Sequence, residues 1–587
     1  MKKWIKNILI VVTIIVVIAY FYWVLPFWGM PFNAQRHGQL PLTPAWALEP
    51  WLWEDDVNTA EYVDELLEGY KKHDIPARTI LIDSPWSLRY NDFEVDTARY
   101  PNPEKWFKKL QDNDYRVVLW MTTMVDSYSK DTKIKNSEDW YNTAKNNGYL
   151  ITGKTPNKWW KGKGGFIDYT NPEAAAWWHG LQQTVFDYGI DGWKLDGTAT
   201  LFYSKFAGIP FLYKKSSKGI ISARKYMDLY YRNEYQYGLT KNPEFVTLSR
   251  SIDRKWLHPE GFSPFGASPV NWVGDQKHTW ESERNNEQTK DLAYEGIEGI
   301  GMAIEHILES AKLGYNIVGS DIAGFSGDSI PPRLYIRWTQ FSTFCGLFMN
   351  GGHGERRLWK RSTEELEIIR KFSWLHNELI PYMYHYVVTA HNNGRRLQTP
   401  IKLGKFQYMF GDDLLVAPIY ADSKSRSISL PKGKWRYFFN DTELLDGNQS
   451  FEREYPLYDF PVYVKEGAII PMDIKRPYSG FGTKENEGVI TLLIYPYKEN
   501  SFNYYHPNSP ETTTVISYTK TEKELEISVQ GNELAHIINV HLSEKPESVE
   551  INDILLIENI DWQYNSSKQK LLINTNEKLN CDYKIKY

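Results

Sequence analysis

Short apolar segments alternate with segments of helical periodicity over roughly 350 residues, and this alternation limits the folds that the chain can form. Strand-like segments lie at residues 45–53, 78–85, 116–124, 192–197, 245–251, 270–275, 316–324 and 344–351. Helical periodicity lies at residues 58–73, 103–112, 172–188, 298–313 and 363–392. Strands that alternate with helices form a parallel sheet, and eight of them predict an α/β fold, a (β/α)8 TIM barrel. A doubly wound sheet is the alternative, but no glycine-rich phosphate loop follows the first segment.

The chain changes near residue 397 to β-branched and aromatic runs separated by turns, such as DDLLVAPIY, VYVKEGAIIPM and ELEISVQG. Such runs are typical of antiparallel β-sandwich strands, and we predict two C-terminal domains of this type. The predicted organisation is an N-terminal segment (1–30), a linker (31–43), the barrel (44–396), a proximal β-domain (397–475) and a distal β-domain (476–587).

The N-terminal segment predicts export. Lys2, Lys3 and Lys6 precede an uncharged run of 18 residues at 8–25, which is about the minimum length for crossing the hydrocarbon layer. Lysines before such a run orient the N-terminus toward the cytoplasm. We expect an uncleaved transmembrane helix that anchors a periplasmic or extracellular enzyme. A cleaved signal peptide is the alternative, but the run ends in aromatic residues rather than in a small-residue cleavage site.

Composition excludes some classes of function. A net charge of −5 argues against a nucleic-acid-binding surface. Two cysteines, Cys345 and Cys581, are too few for a disulfide framework or a thiolate metal site. Aromatic residues form 15% of the chain, which fits either stacking on sugar rings or a large aromatic core. The sequence does not indicate an oligomeric state.

Polar residues follow the predicted barrel strands where chemistry is usually found, at their C-terminal ends. Four segments end in an acid: Asp83, Asp196, Asp275 and Asp321. Arg250 ends the fifth segment, and His353 follows the eighth. One such aspartate commonly caps a helix or forms an Asx-turn. Acids occupy only 73 of 587 positions, so four acids at strand ends favour one shared site.

Two carboxylates that face each other across a pocket fit glycoside hydrolysis, in which one attacks the anomeric carbon and the other protonates the leaving oxygen. Arg250 and His353 are candidates for binding sugar hydroxyls. In the stretch GIDGWKLDGT, Asp191 precedes the strand and is predicted to be a turn residue, whereas Asp196 ends the strand. We therefore expect Asp196 to carry the chemistry.

Several motifs, in order over residues 44–475, resemble glycoside hydrolase family 31, the retaining α-glucosidase and α-xylosidase family. They are FIDYTNPEAAAWW, GIDGWKLDG, LSRS, NWVGD, GSDIAGF, FMNGGHGERRLW and FGDDLLVAPIY. The resemblance implies that Asp196 is the nucleophile and Asp275 the general acid/base. It implies sugar-binding roles for Asp83, Arg250, Trp272, Asp321 and His353. It implies no metal and no organic cofactor, because the carboxylates supply both catalytic functions.

The function implied is that of a retaining, exo-acting α-glycosidase of the α-glucosidase type, with oligosaccharides as substrates. An α-galactosidase, an α-xylosidase and a transglycosylase with a sugar acceptor are the alternatives within the family. A catalytically silent sugar-binding protein is a fourth reading, which the presence of both Asp196 and Asp275 argues against.

The chain departs from the family pattern around the pocket. The usual N-terminal β-sandwich is replaced by the predicted anchor and linker, so we expect a more open mouth. The nucleophile is followed by GTA, the stretch 250–275 is long, and 276–295 reads as an inserted charged loop. A lysine two residues before the nucleophile, here Lys194, resembles the pattern of the α-xylosidase and α-galactosidase branches. The alternative is that Lys194 is a strand residue whose ammonium pairs with a carboxylate.

Overall fold

Eight parallel strands form a ring in the computed structural model. They are β1 (Trp51–Glu54), β2 (Thr79–Ile82), β3 (Arg116–Met121), β4 (Gly192–Leu195), β5 (Val246–Arg250), β6 (Val270–Trp272), β7 (Val318–Gly319) and β8 (Met349–Asn350). Neighbours in the chain pair with each other, β8 pairs with β1, and a parallel bridge between Asp321 and Met349 joins the β7 and β8 sides. All eight strands overlap the predicted segments. The barrel is confirmed, and the doubly wound alternative is wrong.

The structure describes residues 2–21, 38–151, 155–197, 205–206, 209–210, 213–251, 263–280, 299–327, 329–575 and 580–587. Of the GTA tail, Gly197 is described, whereas Thr198 and Ala199 fall outside these ranges, as does most of the predicted inserted loop at 276–295.

Helices return the chain between the strands. They are α1 (Ala60–Lys72), α2 (Pro103–Asp112), α3 (Pro172–Asp187), α4 (Ala223–Lys241), α5 (Ile300–Leu313) and α6 (Pro332–Thr343), with α7 (Thr363–Glu378) and α8 (Ile380–His391) after β8. The predicted helix at 363–392 is two helices, because Pro381 has no N–H to continue the ladder and stands in the first turn of α8. Ser362 and Glu365 form a capping box that starts α7. No helix was predicted at α4 or α6.

Short excursions lie between the strands. Three strands, Met124–Ser129, Asn157–Trp159 and Gly162–Phe166, form a small sheet after β3, with a helix at Glu138–Asn146. Two hairpins follow β4, formed by Lys205–Phe206 with Ile209–Pro210 and by Tyr213–Ser216 with Gly219–Ser222. Single 3-10 turns lie at Ala45–Leu48, Phe265–Ala267, Leu358–Lys360 and Lys484–Asn486.

Much of the aromatic content packs inside the protein. The largest fully buried side chains include Trp51, Trp53, Trp178, Trp193, Trp272, Trp338 and Trp435. A buried aromatic side chain removes roughly 150–250 Å² from water. At these positions the aromatic residues serve the cores.

The C-terminal β-domains are confirmed. A six-stranded sheet contains Gln398–Pro400, Tyr408–Phe410, Leu414–Val416, Lys434–Tyr437, Asn440–Asp446 and Val462–Lys465, beside the pair Ser425–Leu430 and Gln449–Glu454. A five-stranded sheet contains Ile469–Met472, Ile490–Ile494, His536–His541, Trp562–Asn565 and Lys570–Ile573. A second six-stranded sheet contains Glu499–His506, Ser509–Lys520, Glu524–Gly531, Ser548–Ile551, Ile554–Leu555 and Cys581–Lys586.

The sequence predicted antiparallel sheets, but one pair of strands is parallel. Ile490–Ile494 pairs in parallel with His536–His541, because about forty residues of intervening hairpins return the chain to the same edge. Ile469–Met472 pairs with Ile490–Ile494 and so belongs to the five-stranded sheet. The predicted boundary at 475/476 stays a prediction.

The N-terminal segment forms a helix at Lys2–Ala19. Within the described part of the chain, no helix combines the length and the apolarity needed to cross a membrane. The helix contains Lys2, Lys3 and Lys6, so its uncharged part is residues 7–19, about 20 Å at 1.5 Å per residue, against roughly 30 Å of hydrocarbon. The predicted transmembrane helix is therefore not supported. Residues 22–25 of the predicted run lie outside the described ranges.

A buried ion pair joins the first six-stranded sheet of the C-terminal region to the five-stranded sheet. Asp441, on the strand Asn440–Asp446, accepts hydrogen bonds from the hydroxyl of Tyr495 (2.6 Å) and from the ammonium of Lys570. The Lys570 Nζ lies 4.5 Å from the centre of the Tyr495 ring. The Asp441 side chain is 12% exposed and that of Lys570 16%. Removal of Asp441 would leave an ammonium without its partner between two sheets.

We expect Asp441→Ala to lower the free energy of unfolding by about 3–5 kcal/mol, because the charge left behind is buried. Asp446→Ala is the matched control. It lies on the same strand and removes the partner of Lys434, but its side chain is 77% exposed, so we expect no measurable change. Urea denaturation of both variants measures the difference. Equal midpoints would contradict the role of the buried pair.

Candidate active site

The predicted site residues meet at one end of the barrel. Asp83 follows β2, Asp196 follows β4, Arg250 ends β5, Asp275 follows β6, Asp321 follows β7 and His353 follows β8. Because the strands are parallel, these positions lie at the same C-terminal rim. Lys194, inside β4, lies near enough to feel the charges of all four aspartates. The structure therefore forms one cluster from residues far apart in the sequence.

Arg250 connects the two proposed catalytic acids. One guanidinium nitrogen, Nη2, lies 3.4 Å from Asp196 Oδ1 and 3.1 Å from Asp275 Oδ2. These two oxygens are therefore at most about 6.5 Å apart. Retaining glycosidases hold their carboxyl groups roughly 5–5.5 Å apart, whereas inverting enzymes need about 6.5–9.5 Å to admit a water. The Arg250 guanidinium is held 4.4 Å above the Trp272 ring.

Asp196 is fixed in orientation by several donors. Its Oδ2 accepts from Trp120 Nε1 at 3.2 Å, and its Oδ1 accepts from the Gly197 amide at 2.8 Å. Gly197 has φ of +80°, and a Cβ there would lie 2.6 Å from the Thr122 side chain. Glycine is thus required after Asp196 for both reasons. The side chain of Asp196 remains 19% exposed, so a substrate can reach it.

Asp275 faces solvent more openly. Its side chain is 46% exposed, against 19% for Asp196 and 7% for Asp83. A group that passes protons to a leaving oxygen and then takes them from water needs such access. Asp196, the implied nucleophile, is thus the more enclosed of the two acids, and Asp275, the implied general acid/base, is the more exposed.

Lys194 is a buried cation among the carboxylates. Its Nζ donates to Asp83 Oδ2 at 2.7 Å and lies 4.0 Å from the centre of the Trp53 ring. Burial alone would lower the pKa of the Lys194 ammonium, but the surrounding carboxylates, above all Asp83, outweigh burial and raise it. With 5% of its side chain exposed, Lys194 positions Asp83 more than it meets a sugar.

Asp321 and Trp272, both predicted to bind sugar, present almost no surface. Asp321 is 1% exposed and Trp272 0%. Neither carboxyl oxygen of Asp321 has a hydrogen-bond partner among the described residues. Burial raises the pKa of the Asp321 carboxyl to about 8, against the lowering effect of Lys194. Their sugar-binding roles stay predictions, because both side chains are buried in this structure.

His353 lies between two acids that the sequence reasoning missed. Its Nδ1 is 2.7 Å from Asp56 Oδ1, and its Nε2 is 3.3 Å from Asp55 Oδ2. Both acids directly follow β1, in the run WLWEDD. The predicted first strand ended at residue 53, so these acids were not counted at its end. An acid pair after an apolar segment was the available signal.

Asp191 lies at the opposite end of β4 from Asp196. It accepts from the Val117 amide (2.9 Å) and pairs with Arg116 (2.9 Å), at the N-terminal rim of the barrel. This contact tethers β4 to β3. Among the described residues, no group of three or more histidine, cysteine or acidic side chains is arranged to hold a metal ion.

Family models match most of the chain. The model of the glycosyl hydrolases family 31 TIM-barrel domain matches residues 40–386, and that of the family 31 C-terminal domain matches residues 385–470. The first of these covers more than half of the chain.

Curated relatives are distant and longer. An isomaltosyltransferase of Sporosarcina globispora is 25% identical over 541 residues, covering 83% of this chain and 46% of that protein. An α-xylosidase of Emericella nidulans is 24% identical over 562 residues, covering 90% of this chain and 63% of that protein. The chain thus spans about half to two-thirds of their length.

A solved structure of similar shape is a family 31 dextranase of Flavobacterium johnsoniae complexed with glucose. It has a TM-score of 0.77 and 22% identity, and covers 94% of this chain and 72% of that chain. The likeness supports the barrel and the β-domains together.

We expect Asp321→Asn to change how stability depends on pH. Between pH 3.8, the ordinary pKa of an aspartate, and about pH 8, folded Asp321 holds a proton that the unfolded chain has released. The wild-type free energy of unfolding therefore falls as pH rises through this window, and the variant lacks that loss. Its Tm should rise relative to wild type from pH 5 to pH 8. Asp112→Asn, at a side chain that is 59% exposed on α2, is the control; equal pH trends in all three proteins would contradict the assignment.

Proposed function

Because the chain belongs to glycoside hydrolase family 31, we propose that it is a retaining, exo-acting α-glycosidase that hydrolyses terminal α-linked sugars of oligosaccharides. The observation that carries the proposal is the shared contact of Arg250 Nη2 with Asp196 and Asp275, which keeps one oxygen of each carboxylate within about 6.5 Å of the other and so fits the close spacing of double displacement. The names of the relatives, among them α-xylosidases and an α-glucosidase, support the same class.

In the first step, Asp196 attacks the anomeric carbon, the bond from that carbon to the leaving oxygen breaks, and Asp275 gives this oxygen its proton. A β-linked glycosyl ester of Asp196 results. In the second step, Asp275 takes a proton from water, the water oxygen attacks the anomeric carbon, and the ester bond breaks. Two inversions restore the α-configuration. Arg250 offers fixed positive charge to both acids while their charges change.

Transglycosylation by the same residues is the second candidate. In that case a sugar hydroxyl, in place of water, gives its proton to Asp275 and attacks the ester. The relative named isomaltosyltransferase and another named 1,6-α-glucosyltransferase favour it. The candidate sugars for the −1 subsite are glucose, xylose and galactose. Lys194, through its contact with Asp83, is the feature that favours the last two.

A screen of aryl α-glucoside, α-galactoside, α-xyloside and α-N-acetylgalactosaminide, with the product anomer read by NMR, tests the proposal. We expect a first product of α-configuration. Asp196→Ala should lower kcat by about 10⁴-fold or more, because no ester can form. Asp275→Ala should lower it by about 10²–10⁴-fold, and least for aryl groups that leave without a proton.

Asp191→Asn is the control, since it lies on the same strand at the other rim. It should lower Tm and leave the activity of the folded enzyme unchanged. A first product of β-configuration, or full activity in Asp196→Ala, would refute the mechanism.

We also propose that residues 1–30 carry the barrel out of the cytoplasm, to a periplasmic or extracellular site. Support comes from the three lysines that precede the apolar part of the helix Lys2–Ala19. Whether the segment stays as an anchor or is cleaved is an outcome of the test below.

Deletion of residues 1–30 should keep the enzyme in the cytoplasm with unchanged kcat, because the barrel strands begin at Trp51. Cell fractionation with protease protection measures the location of both forms, and mass spectrometry of the exported form reports cleavage. Recovery of the full-length chain in the cytoplasm would overturn the export proposal.

A further inference from the structure

A lysine-rich hairpin lies at the catalytic end of the barrel. Its strands, Tyr213–Ser216 and Gly219–Ser222, stand between β4 and α4, in the segment that follows the C-terminal end of β4. The hairpin reads YKKSSKGIIS, with three lysines and no acid. The amide of Ser217, in its turn, donates to Asp168 Oδ2 at 2.7 Å, and α4 starts directly after its second strand. The hairpin is thus held against the barrel at both its turn and its base.

The hairpin presents one half-buried face and one exposed face. Its register pairs Lys214 with Ile221 and Lys215 with Ile220. Because neighbours along a strand point to opposite sides, the two pairs lie on different faces. Lys214 and Ile221 are half-buried, whereas Lys215 is exposed and Ile220 is 78% exposed. Among the described residues, that is the highest exposure of any large hydrophobic side chain. A lysine and an isoleucine therefore stand side by side on an open surface.

The exposed face of the hairpin also meets the end of the N-terminal helix. Tyr213 lies two residues before Lys215 and so shares its face, and the Tyr213 hydroxyl donates to the backbone carbonyl of Phe21. Phe21 follows the helix Lys2–Ala19, whose apolar side chains are exposed along its length. Apolar surface of this extent marks contact with a membrane or another protein. The hairpin therefore lies beside the point at which the chain leaves this apolar helix.

The positive charge of the hairpin favours a negatively charged partner. Burial lowers the pKa of the Lys214 ammonium to about 8, and no carboxylate charge among the described residues offsets this effect. An anionic surface would raise that pKa again and attract all three lysines. An acidic polysaccharide would account for the lysines as well. It would leave unexplained why Ile220 projects beside them and why the same face meets an apolar helix.

We propose that the exposed side of this hairpin, formed by Lys215, Lys218 and Ile220, binds the anionic surface of a lipid bilayer. The lysines contact the charged headgroups, and Ile220 enters the boundary between headgroups and acyl chains. The helix Lys2–Ala19 is the second contact with the same bilayer, and Tyr213 joins the two contacts. Because the hairpin follows β4, the catalytic rim then lies near the membrane, and glycosides displayed at its surface are within reach. The inference goes beyond the proposed activity, since it concerns the surface on which the barrel rests.

Fluorescence of the full-length protein in vesicles tests this contact. Ile220→Cys carries an environment-sensitive fluorophore, and the natural cysteines, Cys345 and Cys581, are buried and so stay unlabelled. The vesicles contain phosphatidylcholine alone or with about a third phosphatidylglycerol, and lipids with a spin label on the acyl chain act as quenchers. In the anionic vesicles we expect a blue shift and at least about twofold quenching, because residue 220 enters the interface. In phosphatidylcholine alone we expect a smaller shift and less quenching.

Leu444→Cys is the matched control, because Leu444 is 47% exposed on a strand that carries Glu443 and Asp446, in the proximal β-domain. Its fluorophore should respond to neither kind of vesicle. In the protein labelled at position 220, Lys215→Gln together with Lys218→Gln should reduce the quenching in anionic vesicles to the phosphatidylcholine level. These variants should keep the Tm and the kcat on aryl glycosides, so a failure of the proposed glycosidase function is detected separately.

Three results would overturn the membrane contact. The first is quenching that is equal at positions 220 and 444, or equal in the two kinds of vesicle. The second is unchanged quenching in the double lysine variant. The third is a fluorophore at position 220 that ignores anionic vesicles but responds to heparin, which would assign the lysines to an acidic polysaccharide.

Discussion

Two buried cations hold the pocket together. Lys194 and Arg250 lie among carboxylates that would repel one another without them. Lys194 packs against the rings of Trp53 and Trp272, and Arg250 packs against the ring of Trp272. Arg250 sets the spacing of the two acids that face the substrate. Lys194 sets the position of Asp83, and its charge lowers the pKa of the Asp321 carboxyl against the effect of burial. The eight strands matter to function because they bring these cations to one rim.

The barrel was predictable because alternation of strands and helices is a local property, readable within each segment. The same is true of Asp196, Asp275 and Arg250, which end strands that the pattern located well. Asp55 and Asp56 were missed because the edge of β1 was placed one residue early. Boundaries depend on pairing with distant strands, here the pairing of Glu54 with Ile82 on β2, and no local pattern carries that information.

Other differences have specific physical causes. Pro381 divided a helix whose apolar periodicity continues on both sides of it. The parallel pairing of Ile490–Ile494 with His536–His541 joins strands separated by a whole hairpin sheet, which strand-by-strand reasoning does not reach. Trp272 was predicted to meet the sugar, yet its ring is covered by the guanidinium of Arg250. Proximity to a catalytic residue in sequence does not by itself give access to the pocket.

The position of the strand Cys581–Lys586 has a consequence for synthesis on the ribosome. This strand lies between Glu524–Gly531 and Ser548–Ile551, in the interior of its sheet. The ribosome makes about 5–20 residues per second, so Glu524–Gly531 waits several seconds with one edge unpaired before its neighbour emerges. An unpaired edge invites pairing with other chains. The distal sheet is therefore where a slow ribosome, or one that stalls, exposes the nascent chain to aggregation.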